Sequence, residues 1–392
     1  MESEAVEFAV ESYHQSLDWE ASGRSHNIPR VKSALLVVNR TSGTGRTPDD
    51  VDCLRTAFHH LFASIPTRIF AVTPSHDEVV RQTRDFLTSA PGPHFLLAGG
   101  GGGTNRALVQ GLMEQVEKGI VRLEDVQISS LRLGSGNVVP KTFGLSSEPL
   151  EAMRAIAAGI FSGWTHPCAV YRCTLYYPDG AARSEYGITL GGLGQFARVP
   201  ADIKRWKDRN ASLMRRAVHI VPLEAINTAQ YVFFNLRRAA QCLLDPRRAE
   251  WVEVRYADDC RRVRLWNGFL LNFDLPQLPI RSGCGIGEPR LVFCLLPHEG
   301  RMQTLWTLLH WRRLDGRVHK YEITPETPIE FIFLENDATV VALDEDTFTA
   351  PARIKFEVAG MVRFATAAAF ASEARVVENG GSHDYLREHH RD

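Results

Sequence analysis

The sequence predicts an α/β protein in which a three-layer domain with a parallel sheet precedes a mainly antiparallel β-sandwich domain. Short apolar strand patterns alternate with helical patterns between residues 31 and 163, which is typical of a parallel sheet covered by helices. From about Tyr171 onward, strand patterns joined by tight turns follow one another, which favours an antiparallel arrangement. The chain has 392 residues, more than one hydrophobic core usually serves, so two domains are expected.

Four strands and three glycine-containing turns organise the first half. The strand patterns are SALLVVNR, TRIFAVT, HFLLAGG and VQISSLRL, and the helix between the second and third opens with the capping-box pair Ser75 and Glu78. The turns TSGTGR, GGGGGT and GSGN follow the first, third and fourth strands. Because ligands of parallel sheets bind at the carboxyl ends of the strands, the three turns are expected to converge on one crevice.

Two hairpin patterns and one long helical pattern dominate the second half. YRCTLYYPDGAARSEYG contains a Pro-Asp-Gly turn, and WVEVRYADDCRRVRLWNGFLLNF reads as a second hairpin. The apolar stripe of EAINTAQYVFFNLRRAAQCLL is expected to pack into the core. A hinge near residues 159–167 is expected to separate the halves.

Composition excludes several classes of protein. The net charge of −1 favours binding to neither nucleic acid nor a membrane by bulk electrostatics, and no apolar stretch reaches the roughly 18 residues of a membrane-spanning helix. Seven cysteines without a CxxC pair indicate a reduced chain without a zinc site, and the acidic N-terminus does not read as a signal peptide. A cytoplasmic protein is therefore expected.

One segment departs from this neutral balance. Residues 201–219 hold six Lys or Arg against two Asp, with Trp206, Leu213 and Met214 between them. This mixture suits peripheral contact with an anionic membrane, and the alternative is a solvated loop or helix face.

The turn Gly99–Thr104 has the form of a phosphate cradle. Glycines let the backbone approach an anion, and the free N–H groups at the start of the following helix favour negative charge. A loop that merely permits tight packing is the alternative. A dinucleotide fingerprint fits poorly because the ribose-binding acid is missing, and no Gly-Lys-Ser/Thr of a Walker A loop occurs here.

Three stretches resemble, in order and spacing, the motifs of the diacylglycerol kinase-like lipid kinases. VVNRTSGTG, AGGGGGTNRALVQGL and LRLGSGNVVPKTFGL are similar to NPxSG, GGDGTxNExxNGL and PxGTxNDFAxxLGL. Weaker similarity continues through YGITLGGLGQFARV, the late helical stretch HEGRMQTLWTLLHWRRLDGRVH and VVALDEDTF, which resembles a VDGE segment. The resemblance implies a first domain like that of NAD kinase and ATP in a cleft before a β-rich domain.

The resemblance also implies the domain limits. An N-terminal arm covers residues 1–30, and the nucleotide-binding domain covers residues 31–163. A β-rich lipid-substrate domain covers residues 164–370, and a polar tail covers residues 371–392.

The residues that the resemblance assigns to nucleotide binding lie in the three turns and at the end of the second strand. They are Asn39, Ser42, Gly43, Thr73, Gly100, Gly101, Gly102, Gly103, Thr104, Gly134, Ser135, Gly136 and Asn137. Asp346 takes the place of the glutamate of VDGE, where the proposed general base of the family lies, and Asp344 matches its aspartate.

The departures from the family patterns remove acidic residues. Gly102, Ala107 and Val138 stand where the motifs have Asp, Glu and Asp. The resemblance implies ATP and magnesium, but these losses argue against a magnesium site, and no residue is assigned as a metal ligand. Arg106 and Lys141 are candidates to contact phosphate in place of the missing acids, and the alternative for Arg106 is a solvated helix residue.

Two functions remain open. The first is ATP-dependent phosphoryl transfer to a lipid hydroxyl of the diacylglycerol or sphingoid class, with Asp346 as proton acceptor. The alternative is a catalytically inactive pseudokinase that retains nucleotide or lipid binding. A soluble NAD kinase shares the first-domain fold, but the LGSGN turn and the VDGE-like segment argue against it.

Overall fold

The first half of the chain forms a four-stranded parallel sheet. The computed structural model describes residues 30–43, 47–134, 137–210, 221, 223–274, 280–284, 287–334, 339–344 and 346–366. The strands of the sheet are β1 (Ser33–Asn39), β2 (Thr67–Thr73), β3 (His94–Gly100) and β4 (Val126–Arg132), in the order β4-β3-β1-β2. Every residue of β1 and β3 is buried. This two-sided burial explains why both strands read as continuous apolar runs.

Five helices accompany these strands among the described residues. They are α1 (Pro48–Leu61), α2 (His76–Ser89), α3 (Gly102–Glu117), α4 (Val138–Thr142) and α5 (Pro149–Phe161). α2 packs against α3, and α1 packs against α5. The hydroxyl of Ser75 caps α2 by accepting the amide of Glu78 at 3.3 Å, whereas the Glu78 carboxylate pairs with Arg81 rather than closing the expected capping box.

The second half is mainly antiparallel β, as predicted. Its strands are β5 (Thr165–Tyr176), β6 (Ala182–Gly187), β7 (Leu190–Gly194), β8 (Glu250–Tyr256), β9 (Asp259–Leu271), β10 (Leu291–Pro297), β11 (His319–Ile323), β12 (Ile329–Phe333), β13 (Val340–Leu343), β14 (Asp346–Thr349) and β15 (Arg353–Ala365). Alternate residues of these strands, such as Tyr171, Cys173 and Leu175, share one core. That period of two is expected when a sheet buries one face.

In the described part of the second half, three helices interrupt these strands, whereas the periodicity alone predicted one. They are α6 (Val199–Arg209), α7 (Leu223–Leu244) and α8 (Arg301–Leu309). The resemblance implied α8, and α6 lies in the basic segment, of which residues 211–219 fall outside the described residues. No helix in the described ranges is both long enough and apolar enough to cross a bilayer.

The strand β15 ties the two halves together. It pairs antiparallel with β5 and, near its end, parallel with β4, where Arg363 and Phe364 face Gln127 and Ile128. One sheet therefore runs from the β-rich half into the parallel sheet. We propose that the domain boundary lies at residue 163, between α5 and β5. The last strand, β15, then returns to the first domain.

Candidate functional site

The three glycine-containing turns converge at the carboxyl ends of β1, β3 and β4. The hydroxyl oxygens of Ser42 and Thr104 lie 3.4 Å apart, which joins the first turn to the second. Gly134 packs so closely on Gly101 that a Cβ atom at residue 134 would lie 2.1 Å from the Gly101 Cα atom. Gly43 lies against the carbonyl of Leu133. The three turns thus form one cluster of closely packed backbone segments, which we call the cradle.

The helix α3 begins inside the cradle without any acidic group. Gly101 is its N-cap, so no side chain accepts a hydrogen bond from the first-turn amides, and the first turn holds no Asp or Glu. Amides at a helix start that lack intrahelical partners attract an anion, and the helix dipole adds to this attraction. Gly102 is the first residue of this helix, so the motif position that lost its acid lies at its most positive end.

Two of the predicted binding residues have local structural roles. The Asn39 side-chain oxygen accepts hydrogen bonds from the amide and hydroxyl of Thr41 at 3.1 and 2.7 Å. The Thr73 hydroxyl donates to the Ser75 carbonyl at 3.2 Å and is buried. Both side chains shape the rim of the cradle.

The third turn is held by Asn137. Its side-chain oxygen accepts the Gly134 amide at 2.9 Å, and its backbone adopts the left-handed conformation with a φ of 50°. Asparagine tolerates this conformation better than most residues. Ser135 and Gly136, which the sequence assigned to this turn, lie outside the described residues.

Arg106 is buried one turn into α3 and forms two ion pairs. Its guanidinium donates to Asp346 Oδ2 at 2.6 Å and to Glu185 Oε2 at 2.5 Å. Its side chain is 8% exposed and that of Glu185 is 1% exposed. The alternative of a solvated helix residue is therefore wrong, and a freely available phosphate clamp does not fit this geometry either.

Asp346 lies between two donors. Besides Arg106, His76 Nδ1 lies 3.1 Å from Asp346 Oδ1. Burial alone would raise the pKa of Asp346, but the hydrogen bond from His76 and the charge of Arg106 lower it below its ordinary value. Burial likewise opposes the charge on Arg106, and the attraction of Asp346 and Glu185 outweighs it and raises the pKa of the guanidinium. Asp346 and Arg106 therefore both carry their charges at neutral pH.

Sequence reasoning missed His76 and Glu185. The His76 ring reaches Asp346 by passing over Gly103, where a Cβ atom would lie 2.2 Å from the ring carbon Cε1. Glu185 was detectable as an acidic residue within a predicted strand, whereas nothing in the sequence around His76 marks it as functional.

Asp344 lies two residues before Asp346 and has a different environment. It is fully buried with a φ of 53°, and its Oδ1 atom accepts the Leu190 amide at 3.0 Å. Burial raises the pKa of Asp344 from 3.8 to about 7, although its hydrogen bonds and Arg106 act in the opposite direction. The two aspartates of the VDGE-like segment thus differ in charge near neutral pH.

The described residues do not fit a protein-held magnesium ion. They include no group of three or more His, Cys, Asp or Glu side chains placed to bind a metal. The oxygens of Asp346 and Glu185 instead face Arg106, a cation. Mg²⁺ prefers carboxylate and phosphate oxygens as ligands, and the carboxylate oxygens of this cluster are already engaged by a cation. The cluster is therefore a poor metal site.

Comparison with known proteins finds one similar domain family. Residues 33–165 match the family model of the diacylglycerol kinase catalytic domain, which confirms the resemblance seen in the motifs. This segment is therefore similar to that catalytic domain, whose kinases use ATP and usually a divalent metal. No curated protein matches the chain in sequence.

Solved structures extend the similarity over most of the chain. A diacylglycerol kinase from Bacillus anthracis str. Sterne is 13% identical, with a TM-score of 0.54, and the match covers 87% of this chain and 99% of that one. A second diacylglycerol kinase-like structure from that organism is also 13% identical with the same coverage and has a TM-score of 0.57. The fold, including the β-rich half, is that of diacylglycerol kinase-like proteins.

Replacing Arg106 is expected to destabilise the protein strongly. Arg106→Met leaves the Glu185 charge buried with only Arg183 beside it, so the free energy of unfolding should fall by about 3–5 kcal/mol. Chemical denaturation measures this change. Adding Glu185→Gln should recover part of the loss.

A matched control is the half-exposed pair Arg84–Glu114. Arg84→Met removes an ion pair of 3.1 Å between partly solvated side chains and should cost less than about 1 kcal/mol. Equal losses in Arg106→Met and Arg84→Met would contradict the importance of the buried cluster.

The raised pKa of Asp344 predicts a pH dependence of stability. Between pH values of about 4 and about 7 the folded chain keeps a proton on Asp344 that the unfolded chain has lost. The contribution of Asp344 to stability should therefore fall as the pH rises through this window. Asp344→Asn, which tolerates the left-handed backbone, should remove this contribution, and melting temperatures at pH 5 and pH 8 measure it. Identical pH slopes in both proteins would refute the assignment.

Proposed function

We propose that this chain is a lipid kinase-like pseudokinase that binds the phosphates of a nucleotide in the cradle with little dependence on magnesium. The observation that carries the proposal is the charge distribution at the start of α3. The first turn there holds no acid, and the nearby carboxylates of Asp346 and Glu185 already pair with Arg106. Anion binding is thereby favoured, and metal binding is not.

The missing acids are expected to lower the rate of catalysis. Phosphoryl transfer depends on positioning and on neutralising the charge of the transferred group, a task that a metal ion ordinarily shares. Losing one such group costs roughly 10²–10³ in rate, and Gly102, Ala107 and Val138 replace three acids of the family motifs. Arg106 is engaged by two carboxylates and does not take over this task. Lys141, exposed on α4 after the third turn, remains the candidate cation for phosphate.

Titration of ATP with and without magnesium tests the proposal. We expect similar affinities with magnesium and with a chelator, because the protein supplies no carboxylates for the ion. Thr104→Val should weaken binding about tenfold if its hydroxyl donates to a charged phosphate. Gly102→Asp places a negative charge at the helix start and should weaken binding in chelator about fivefold or more while introducing magnesium dependence.

Gly316→Asp provides the control for added charge. Gly316 is exposed, and a Cβ atom at this residue would meet no neighbouring atom within 4 Å, so this variant should bind ATP as the wild type does. Absence of ATP binding by the wild type, or strict magnesium dependence, would overturn the proposal.

An active lipid kinase is the second candidate, and the position of Asp346 favours it. Its side chain remains 24% exposed beside the start of α3, where a lipid hydroxyl could donate to it. Transfer of labelled γ-phosphate from ATP to micelles of diacylglycerol, ceramide and sphingosine tests this activity. We expect no labelled lipid; labelled lipid that disappears in Asp346→Asn would establish the kinase instead.

A further inference from the structure

The helices α7 and α8 carry apolar residues on their solvent-facing sides. Phe233 is 59% exposed, Leu244 is 80% exposed and Met302 is 78% exposed. We call this surface the α7–α8 face. It comprises Val232, Phe233, Leu236 and Leu244 of α7 and Met302, Leu305 and Leu309 of α8. So many exposed apolar side chains on one surface are not explained by packing of the core and are typical of an interaction site.

The spacing of these residues shows that the exposure is systematic. Residues 232, 233, 236, 240 and 244 are all exposed and recur at helical intervals along one side of α7. The opposite side buries Phe234 in a small cluster with Val199 and Ile203 of α6. α7 is therefore apolar on both sides, and the expectation that its stripe only packs into the core is wrong for the outer half.

The two helices form one surface. α7 packs against α8, and the guanidinium of Arg301 at the start of α8 donates to the Leu244 carbonyl at the end of α7, at 3.2 Å. The exposed Leu244 and Met302 therefore lie at this junction of the two helices.

Basic residues outnumber acidic residues around the α7–α8 face, where Glu224 is the second residue of α7, the exposed Glu299 precedes α8 and the exposed Asp208 lies on α6. Residues 225–244 and 301–309 contain no Asp or Glu, and Arg237 and Arg301 are exposed among the apolar side chains. Asp245, which follows α7, pairs with Arg248 at 3.6 Å. The neighbouring helix α6 adds the exposed Lys204, Arg205 and Arg209.

We propose that the α7–α8 face docks the protein onto an anionic membrane surface. Apolar side chains would enter the boundary of the acyl chains while the arginines meet lipid phosphates and carboxylates. A second copy of the chain is a poorer partner, because a symmetric contact would bring arginines of like charge together. The sequence placed membrane contact at residues 201–219, of which only 201–210 are described, and there Trp206 packs partly buried beside Ile203. We propose α7 and α8 for the apolar part of the contact instead.

The location suits access to the cradle but does not depend on the proposed function. α6 packs against α7 and also contacts β14, the strand that begins with Asp346. The helix α6 thus lies between the α7–α8 face and β14, the strand that carries the candidate proton acceptor Asp346.

Sedimentation with vesicles tests the proposal on the full chain. We expect binding to phosphatidylcholine vesicles that contain phosphatidylserine, weaker binding to phosphatidylcholine alone, and weakening by salt. The double variant Phe233→Ser/Leu236→Ser should bind about tenfold or more weakly. Arg237→Gln, which leaves the apolar residues in place, should bind about fivefold more weakly to the anionic vesicles.

Matched controls lie on the loop after α3. Ile120 is 46% exposed and Lys118 is exposed, so Ile120→Ser and Lys118→Gln remove similar groups elsewhere and should bind as the wild type does. Circular dichroism verifies folding, and Leu244→Ser replaces the double variant if that variant unfolds. ATP affinity measured on the same variants should not change, which separates this proposal from the function of the cradle.

Three results would overturn the proposal. They are failure of the wild type to bind anionic vesicles, equal losses in the control variants, and a wild-type dimer that Phe233→Ser/Leu236→Ser converts to a monomer. The last result would assign the α7–α8 face to a second copy of the chain.

Discussion

The buried pairing of Arg106 with Glu185 and Asp346 holds the two halves of the site in register. Arg106 belongs to α3, Glu185 to β6 and Asp346 to β14, so one guanidinium fixes a helix of the parallel-sheet half against two strands of the β-rich half. Removing any one charge leaves another buried without its partner, which is far more costly than losing a surface pair. The position of Asp346 relative to the cradle depends on this cluster.

The same cluster explains why the carboxylates of this site do not form a magnesium site. A magnesium site needs carboxylates with free oxygens, whereas here the carboxylates near α3 neutralise a cation that is itself part of the fold. With Gly102 at the helix start, the amides of the first turn become the dominant feature that an anion meets. The charges of this site are thus balanced among its own side chains.

Sequence patterns predicted the elements that depend on interactions between residues close together in the chain. The buried runs of β1 and β3 and the turns that follow them were predicted because parallel strands bring their ends to one edge. The partners of Arg106 were not, since Glu185 and Asp346 lie 79 and 240 residues away and no local period links them. The outer face of α7 escaped for the opposite reason, because an apolar residue on a helix has the same pattern whether it faces a core or a membrane.

The arrangement of α6, α7 and α8 connects the chemistry of the site to its surroundings. A lipid hydroxyl remains at the membrane, so a protein that recognises it must bring its site to the lipid. α6 contacts both β14 and α7, and a tilt of the docked helices would therefore be transmitted to the strand that starts with Asp346. The rigid pairing of Asp346 with Arg106 resists such a tilt, because moving the strand would separate buried charges. The helix α6 and the side chain of Arg106 therefore both contact the strand that carries the candidate proton acceptor.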